Sequence, residues 1–175
     1  MKKLYFAIIA LAALTLASCE KTPVGGTATQ ALAGQWSVLM QGVDSAGNVL
    51  YEDEELFGYG PFQIITYNTA ENQPDTMWLS SMSVLNPSFL TFSLKVACDV
   101  NALTFEGKEL VNYDGSHIDV RNGKILPKAA KTPSGMPADS IVFDYVVEGD
   151  PYTAYYDFIR ITGFRYTGLV NDELE

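Results

Sequence analysis

Residues Leu90–Val100 read "LTFSLKVACDV", and their period decides the fold class. Leu90, Phe92, Leu94, Val96, Cys98 and Val100 fall on one face, and Thr91, Ser93, Lys95, Ala97 and Asp99 on the other. Strict alternation of this kind predicts a strand with one buried side. "ADSIVFDYVVEG" (138–149) repeats it, with Ile141, Phe143, Tyr145 and Val147 opposing Val142, Asp144 and Val146. Further strands are predicted over 35–43, 61–67, 76–83, 102–106, 116–121 and 153–166, with a weaker one over 124–129. Asn122-Gly123 reads as a type I′ hairpin turn, because that turn needs positive φ at both central residues. "ENQPD", "LNPS", "TPSGMP" and "EGDP" carry the Pro, Gly and Asn of loops. Eight or nine antiparallel strands at short spacing mean a barrel or a sandwich. No fixed-period repeat suggests a propeller or solenoid.

The first predicted strand opens with Gly34-Gln35-Trp36. In a closed antiparallel barrel the end of the last strand lies beside the start of the first. That end reads "DFIRITGFRYTG", with Arg165 best placed to meet Trp36 and Arg160 as the alternative. An aromatic face attracts a guanidinium by roughly 0.5–2 kcal/mol. A Gly-x-Trp here resembles the opening of lipocalin-like (calycin) barrels. The resemblance implies that the Trp36 indole plugs one end and that an arginine of the last strand lies across it.

A wider resemblance runs from Leu32 to about Leu169. "LAGQWSV", "GVDSAGNV", "FGYG", "KVACDVNALTF", "TPSGMPADSIVF" and "GFRYTGL", in this order, are similar to the lipid-binding putative hydrolase family, lipoproteins of gut-type Gram-negative anaerobes. "TPSGMPADSIVF" and "GFRYTGL" are its most specific parts. It implies an all-β, lipocalin-like antiparallel barrel of about eight strands behind a lipid anchor. It supplies no catalytic residues.

The chain's start fits such an anchor. Lys2 and Lys3 precede an uncharged run, Leu4–Ala17, as in a secretory signal peptide. The run is shorter than the roughly 20 residues of a spanning helix. Leu16-Ala17-Ser18-Cys19 matches a lipobox, which makes Cys19 the lipid-attachment residue. The expected organisation is a lipoprotein signal peptide over 1–18, the lipidated cysteine and a flexible tether over 19–32, and one barrel domain over 33–175. Loss of residues 1–18 removes Lys2 and Lys3 and takes the net charge from −10 to −12. So acidic a domain does not bind nucleic acid or an anionic bilayer by charge. The membrane contact is expected through the lipid on Cys19, at the outer membrane, on its periplasmic or cell-surface face.

Candidate chemistry is sparse. Cys98, the other cysteine, reads as a small core hydrophobe. His117 is the one histidine. It follows Ser116 directly, and strand neighbours point to opposite faces, so the two do not pair as base and nucleophile. Asp119 and Arg121 share its face, which reads as solvated. No Gly-x-Ser-x-Gly elbow occurs. Glu52–Glu55 form an acidic run that reads as a solvated loop rather than a calcium site. No metal and no cofactor is expected. The aromatic load, with ten Tyr and nine Phe, suits a half-wet cavity or a binding platform. Phe92, Leu94, Tyr155, Ile159 and Ile161 are the candidate ligand-binding residues, the last three inward if Arg165 is inward. The expected function is binding of a small apolar or amphipathic ligand in, or at the mouth of, the barrel. The alternative is an accessory lipoprotein that binds glycan or an outer-membrane protein through exposed aromatics. A hydrolase is the third reading.

Overall fold

The computed structural model describes residues 25–52, 61–81, 91–149 and 155–172. The predicted signal peptide, Cys19 and the acidic residues Asp53–Glu55 lie outside the described residues. Nine strands follow in order: β1 Gly34–Val43, β2 Val49–Glu52, β3 Phe62–Asn68, β4 Thr76–Ser81, β5 Ser93–Asp99, β6 Thr104–Val111, β7 His117–Lys131, β8 Pro137–Val147 and β9 Phe158–Arg165. A 3-10 turn, Val170–Asp172, follows β9. The strands are antiparallel neighbours in the order β2-β1-β3-β4-β5-β6-β7-β8-β9, and β1 also pairs with β9. That pairing runs from Trp36 opposite Arg165 to Val43 opposite Phe158. It closes eight strands into a barrel and leaves β2 as an extra strand.

β2 and β3 share one flank of β1. Gln41 faces Glu52 and Val38 faces Phe62. The short β2 has no counterpart in the sequence reading, because Val49, Leu50 and Glu52 are exposed and show no buried alternation.

Period-two patterning holds through most of the barrel. Trp36, Val38, Met40, Ile64, Met77, Leu79, Leu94, Val96, Ile141, Phe143, Tyr145, Ile159 and Ile161 are fully buried in a single interior cluster. Phe92 and Tyr145 meet at 5.1 Å between ring centroids, and Phe105 and Phe143 at 5.7 Å.

The expected hairpin at Asn122-Gly123 is not there. β7 runs through both residues, and its register against β8 shifts between Arg121 and Lys124. Only Asn122 is left-handed, at φ 55°, whereas a type I′ turn needs two such residues. The pair forms a bulge. Gly123 is required for a different reason: a Cβ there would lie 2.5 Å from the Phe105 ring. The predicted strand 116–121 and the weaker segment 124–129 are thus parts of one long strand, His117–Lys131.

Candidate functional site

One end of the barrel is built around Trp36. Its Nε1–H donates to Thr66 Oγ1 at 2.9 Å, and the Thr66 hydroxyl donates to the Leu32 carbonyl at 2.6 Å. The turn before β1 brings Leu32 here, where it is fully buried; the Ala33 N–H donates to the Thr29 carbonyl at 3.1 Å. The Arg165 guanidinium carbon stands 4.5 Å from the Trp36 ring centroid. Arg165 also donates to the Ala33 carbonyl at 2.9 Å and to Asp139 Oδ2 at 3.3 Å. A Cβ on residue 34 would lie 2.5 Å from Arg165 Nη1, so the glycine of Gly-x-Trp is the space through which the guanidinium passes.

Arg160, the other arginine of β9, has different company. It faces Asp144 across the β8–β9 ladder and donates from Nε at 2.8 Å. Asp144 is buried, 4% exposed, and also accepts from Asn122 Nδ2 at 2.8 Å. The two arginines stand on opposite faces of one strand.

Four of the candidate ligand-binding residues, Phe92, Leu94, Ile159 and Ile161, belong to the packed interior cluster. They fill the barrel at their own levels. Tyr155 departs from its expected inward position. It is 52% exposed, its ring edge-on to Tyr51 at 6.3 Å, while Tyr156 is 3% exposed and enters the core. β9 starts only at Phe158, so strand parity does not reach residue 155. Asp157, just before the strand, instead anchors the β1–β2 turn by accepting from the Ser45 N–H.

Aromatic surface is concentrated elsewhere, on the outer wall. Tyr67 and Trp78 are cross-strand partners with stacked rings, 6.5 Å apart and 21° from parallel. Trp78 is in turn opposite Lys95. Beside them lies a cleft of about 320 Å³ lined by Trp78, Ser93, Lys95, Leu110, Val111, Asn112 and Tyr113. No pattern on β6 announced it, because bulges at Phe105–Gly107 and Gly107–Leu110 break the alternation.

His117 Nδ1 is 3.8 Å from Glu148 Oε2, and both side chains are mostly exposed. The Ser116 hydroxyl donates to Asp114 Oδ1 at 2.6 Å. Arg121 pairs with Asp119 at 2.6 Å. Cys98 donates weakly to the Pro74 carbonyl at 3.5 Å. Burial, with Asp75 and Asp99 nearby, holds its thiol above the usual range, which disfavours a reactive thiolate. Among the described residues no three His, Cys, Asp or Glu side chains converge as metal ligands.

A family model described as lipid-binding putative hydrolase matches residues 21–170. Among curated proteins nothing matches the chain.

Proposed function

The chain belongs to the lipid-binding putative hydrolase family, and on that premise we propose that it is an outer-membrane lipoprotein whose barrel binds a small apolar or amphipathic ligand. The observation that carries this reading is the family match over 21–170, which spans the whole barrel. The lipobox at Leu16–Cys19 supports the anchor. The packing of Phe92, Leu94, Ile159 and Ile161 against one another's cluster argues for a ligand held at the mouth or on the wall rather than deep in the channel. A role as a hydrolase has less support. The one histidine, His117, has Glu148 as its neighbour, and no hydroxyl is hydrogen-bonded to it among the described residues.

Native mass spectrometry of the purified protein, before and after organic extraction, tests the reading. A discrete extractable mass is the expected result. A clean apo mass with no uptake of apolar probes overturns it. That outcome would favour the second reading, an accessory lipoprotein that binds glycan or a protein partner. The pairs Tyr67–Trp78 and Tyr51–Tyr155, in which Tyr67 and Tyr155 are exposed, are what favour it.

A further inference from the structure

The barrel wall is not evenly sewn. β4 and β5 pair over five residues, Thr76–Ser80 against Ala97–Ser93. β5 and β6 pair over only three, Ala97–Asp99 against Glu106–Thr104. Leu94, Lys95 and Val96 have no register partner on β6. The cause lies in β6, where Lys108 and Glu109 bulge away. Glu109 takes φ 51°, and its N–H donates to Asp119 Oδ1 on β7 at 2.7 Å.

Backbone direction along β5 follows from its two end bonds. The Cys98 N–H donates to the Asp75 carbonyl and the Ser81 N–H to the Phe92 carbonyl. Even-numbered residues thus direct their backbone polar groups toward β4, and Ser93, Lys95 and Ala97 direct theirs toward β6. Above the seam, the Asn112 side chain stands in for the missing ladder. It accepts from the Ser93 N–H at 3.0 Å and donates to the Thr91 carbonyl at 3.0 Å.

The cleft of about 320 Å³ lies over this seam. Leu110 forms part of its lining and also packs against the interior cluster, its side chain occupying the space a Cβ on Gly107 would need. Val111 and Tyr113 are 66% and 67% exposed at its rim. Such apolar side chains grouped around a groove mark a binding surface. Among the described residues of the lining Lys95 is the one charged residue, and none of them is a carboxylate. That is a pointed exception in a chain of 21 acidic and 11 basic residues. Its present partner, Glu71, is 3.7 Å away and exposed, a pair of little strength that an incoming anion can replace.

We propose that the seam between β5 and β6 is a binding site for a single-chain anionic amphiphile, the acyl chain lying against Trp78, Leu110, Val111 and Tyr113 and the carboxylate on the Lys95 ammonium. This rests on the lipid-binding reading above and gives it a place outside the packed channel.

The chain's two tryptophans separate the possibilities, since Trp36 lies in the closed end and Trp78 in the cleft. Purified protein is titrated with dibromostearate, whose bromines quench nearby indoles, and binding is measured in parallel by calorimetry. Saturable quenching is expected in the wild type. It disappears in Trp78→Phe, whose remaining emission comes from Trp36. Lys95→Gln weakens binding about tenfold, the loss of one charged hydrogen bond, and the methyl ester binds wild type and Lys95→Gln alike. Calorimetric binding unaltered in Lys95→Gln, with Trp36 quenched instead, overturns the seam site and leaves the lipid-binding reading standing. No saturable binding to any variant overturns both. Unchanged thermal melting of each variant excludes a folding defect, and Lys95→Arg, which keeps the charge, retains binding.

Discussion

At the scale of single residues, two arginines on one strand do different work. Arg165 crosses the face of Trp36 and donates to the Ala33 carbonyl and to Asp139. The indole is fully buried and has its own hydrogen bond to Thr66. Trp36→Ala is therefore expected to cost about 3–5 kcal/mol in chemical denaturation, and a loss under about 1 kcal/mol would remove Trp36 as the plug of that end. Arg160 answers a buried carboxylate, and removing it leaves Asp144, among the described residues, with the Asn122 amide as its side-chain partner. Arg160→Ala is expected to destabilise by about 3 kcal/mol. The double variant Arg160→Met with Asp144→Leu should recover most of that, because a buried ion pair contributes little beyond what apolar side chains of similar volume supply. If the double variant unfolds as readily as the single one, the uncompensated charge is not the cause. The resemblance to lipocalin-like barrels, joined to the rule that a closed sheet brings its first and last strands together, put Arg165, with Arg160 as the alternative, near Trp36. The sequence could not assign Asp144 to Arg160, since Asp144 sits on the face that reads as solvent-exposed and is buried only by its neighbours across the wall.

At the scale of elements, the bulges decide what alternation alone leaves open. The strands at Ser93–Asp99 and over 141–147 were legible because apolar residues recur there at every second position. β7 was not, because Asn122 and Gly123 carry the composition of a turn while lying inside a strand. Turn chemistry is local, and what keeps the strand going is the tertiary contact between Gly123 and Phe105. Gly123→Ala is accordingly expected to cost about 1–3 kcal/mol by overpacking, seen as a lower denaturation midpoint. A neutral substitution would mean that both the Phe105 ring and its backbone carbonyl, the nearest atom to such a Cβ, give way. The bulges of β6 hid the outer cleft in the same way, since Leu110 reaches the core at a position shifted from the parity of Phe105. The β7–β8 hairpin has its own fastening. Asp172, after β9, accepts from the Ser134 N–H at 2.9 Å and the Thr167 hydroxyl at 2.7 Å. The side chains of Ser134 and then Thr167 hold its carboxyl down to about 2 from an ordinary 3.8. A lowered carboxyl stabilises the fold above its unfolded pKa and ceases to do so as pH falls through the folded one. The difference in Tm between wild type and Asp172→Asn should therefore be full above about pH 4 and shrink toward zero near pH 2. A difference that stays constant over that range would separate Asp172 from the acid response.

For the molecule as a whole, charge and packing together constrain how it meets a membrane. The domain beyond residue 18 has net charge −12, so anionic phospholipid repels it at a distance. No helix among the described residues is long and apolar enough to cross a bilayer. The barrel's interior is occupied by its own side chains over the described levels, and its outer wall carries ion pairs such as Arg121–Asp119 and Lys95–Glu71, unlike the apolar band of a membrane-spanning barrel. On the lipoprotein reading proposed above, a firm membrane association comes from acyl chains on Cys19, each buried methylene adding about 0.8 kcal/mol. Cys19→Ser is expected to release the protein from the membrane fraction into the soluble exported fraction with the barrel intact. The same variant should not sediment with anionic vesicles even at low ionic strength, where attraction by charge would be strongest. Retention of Cys19→Ser in the membrane fraction would mean that the barrel itself holds a membrane partner, and the exposed Tyr155 and Tyr67, with their ring partners Tyr51 and Trp78, would then be the residues to alter first.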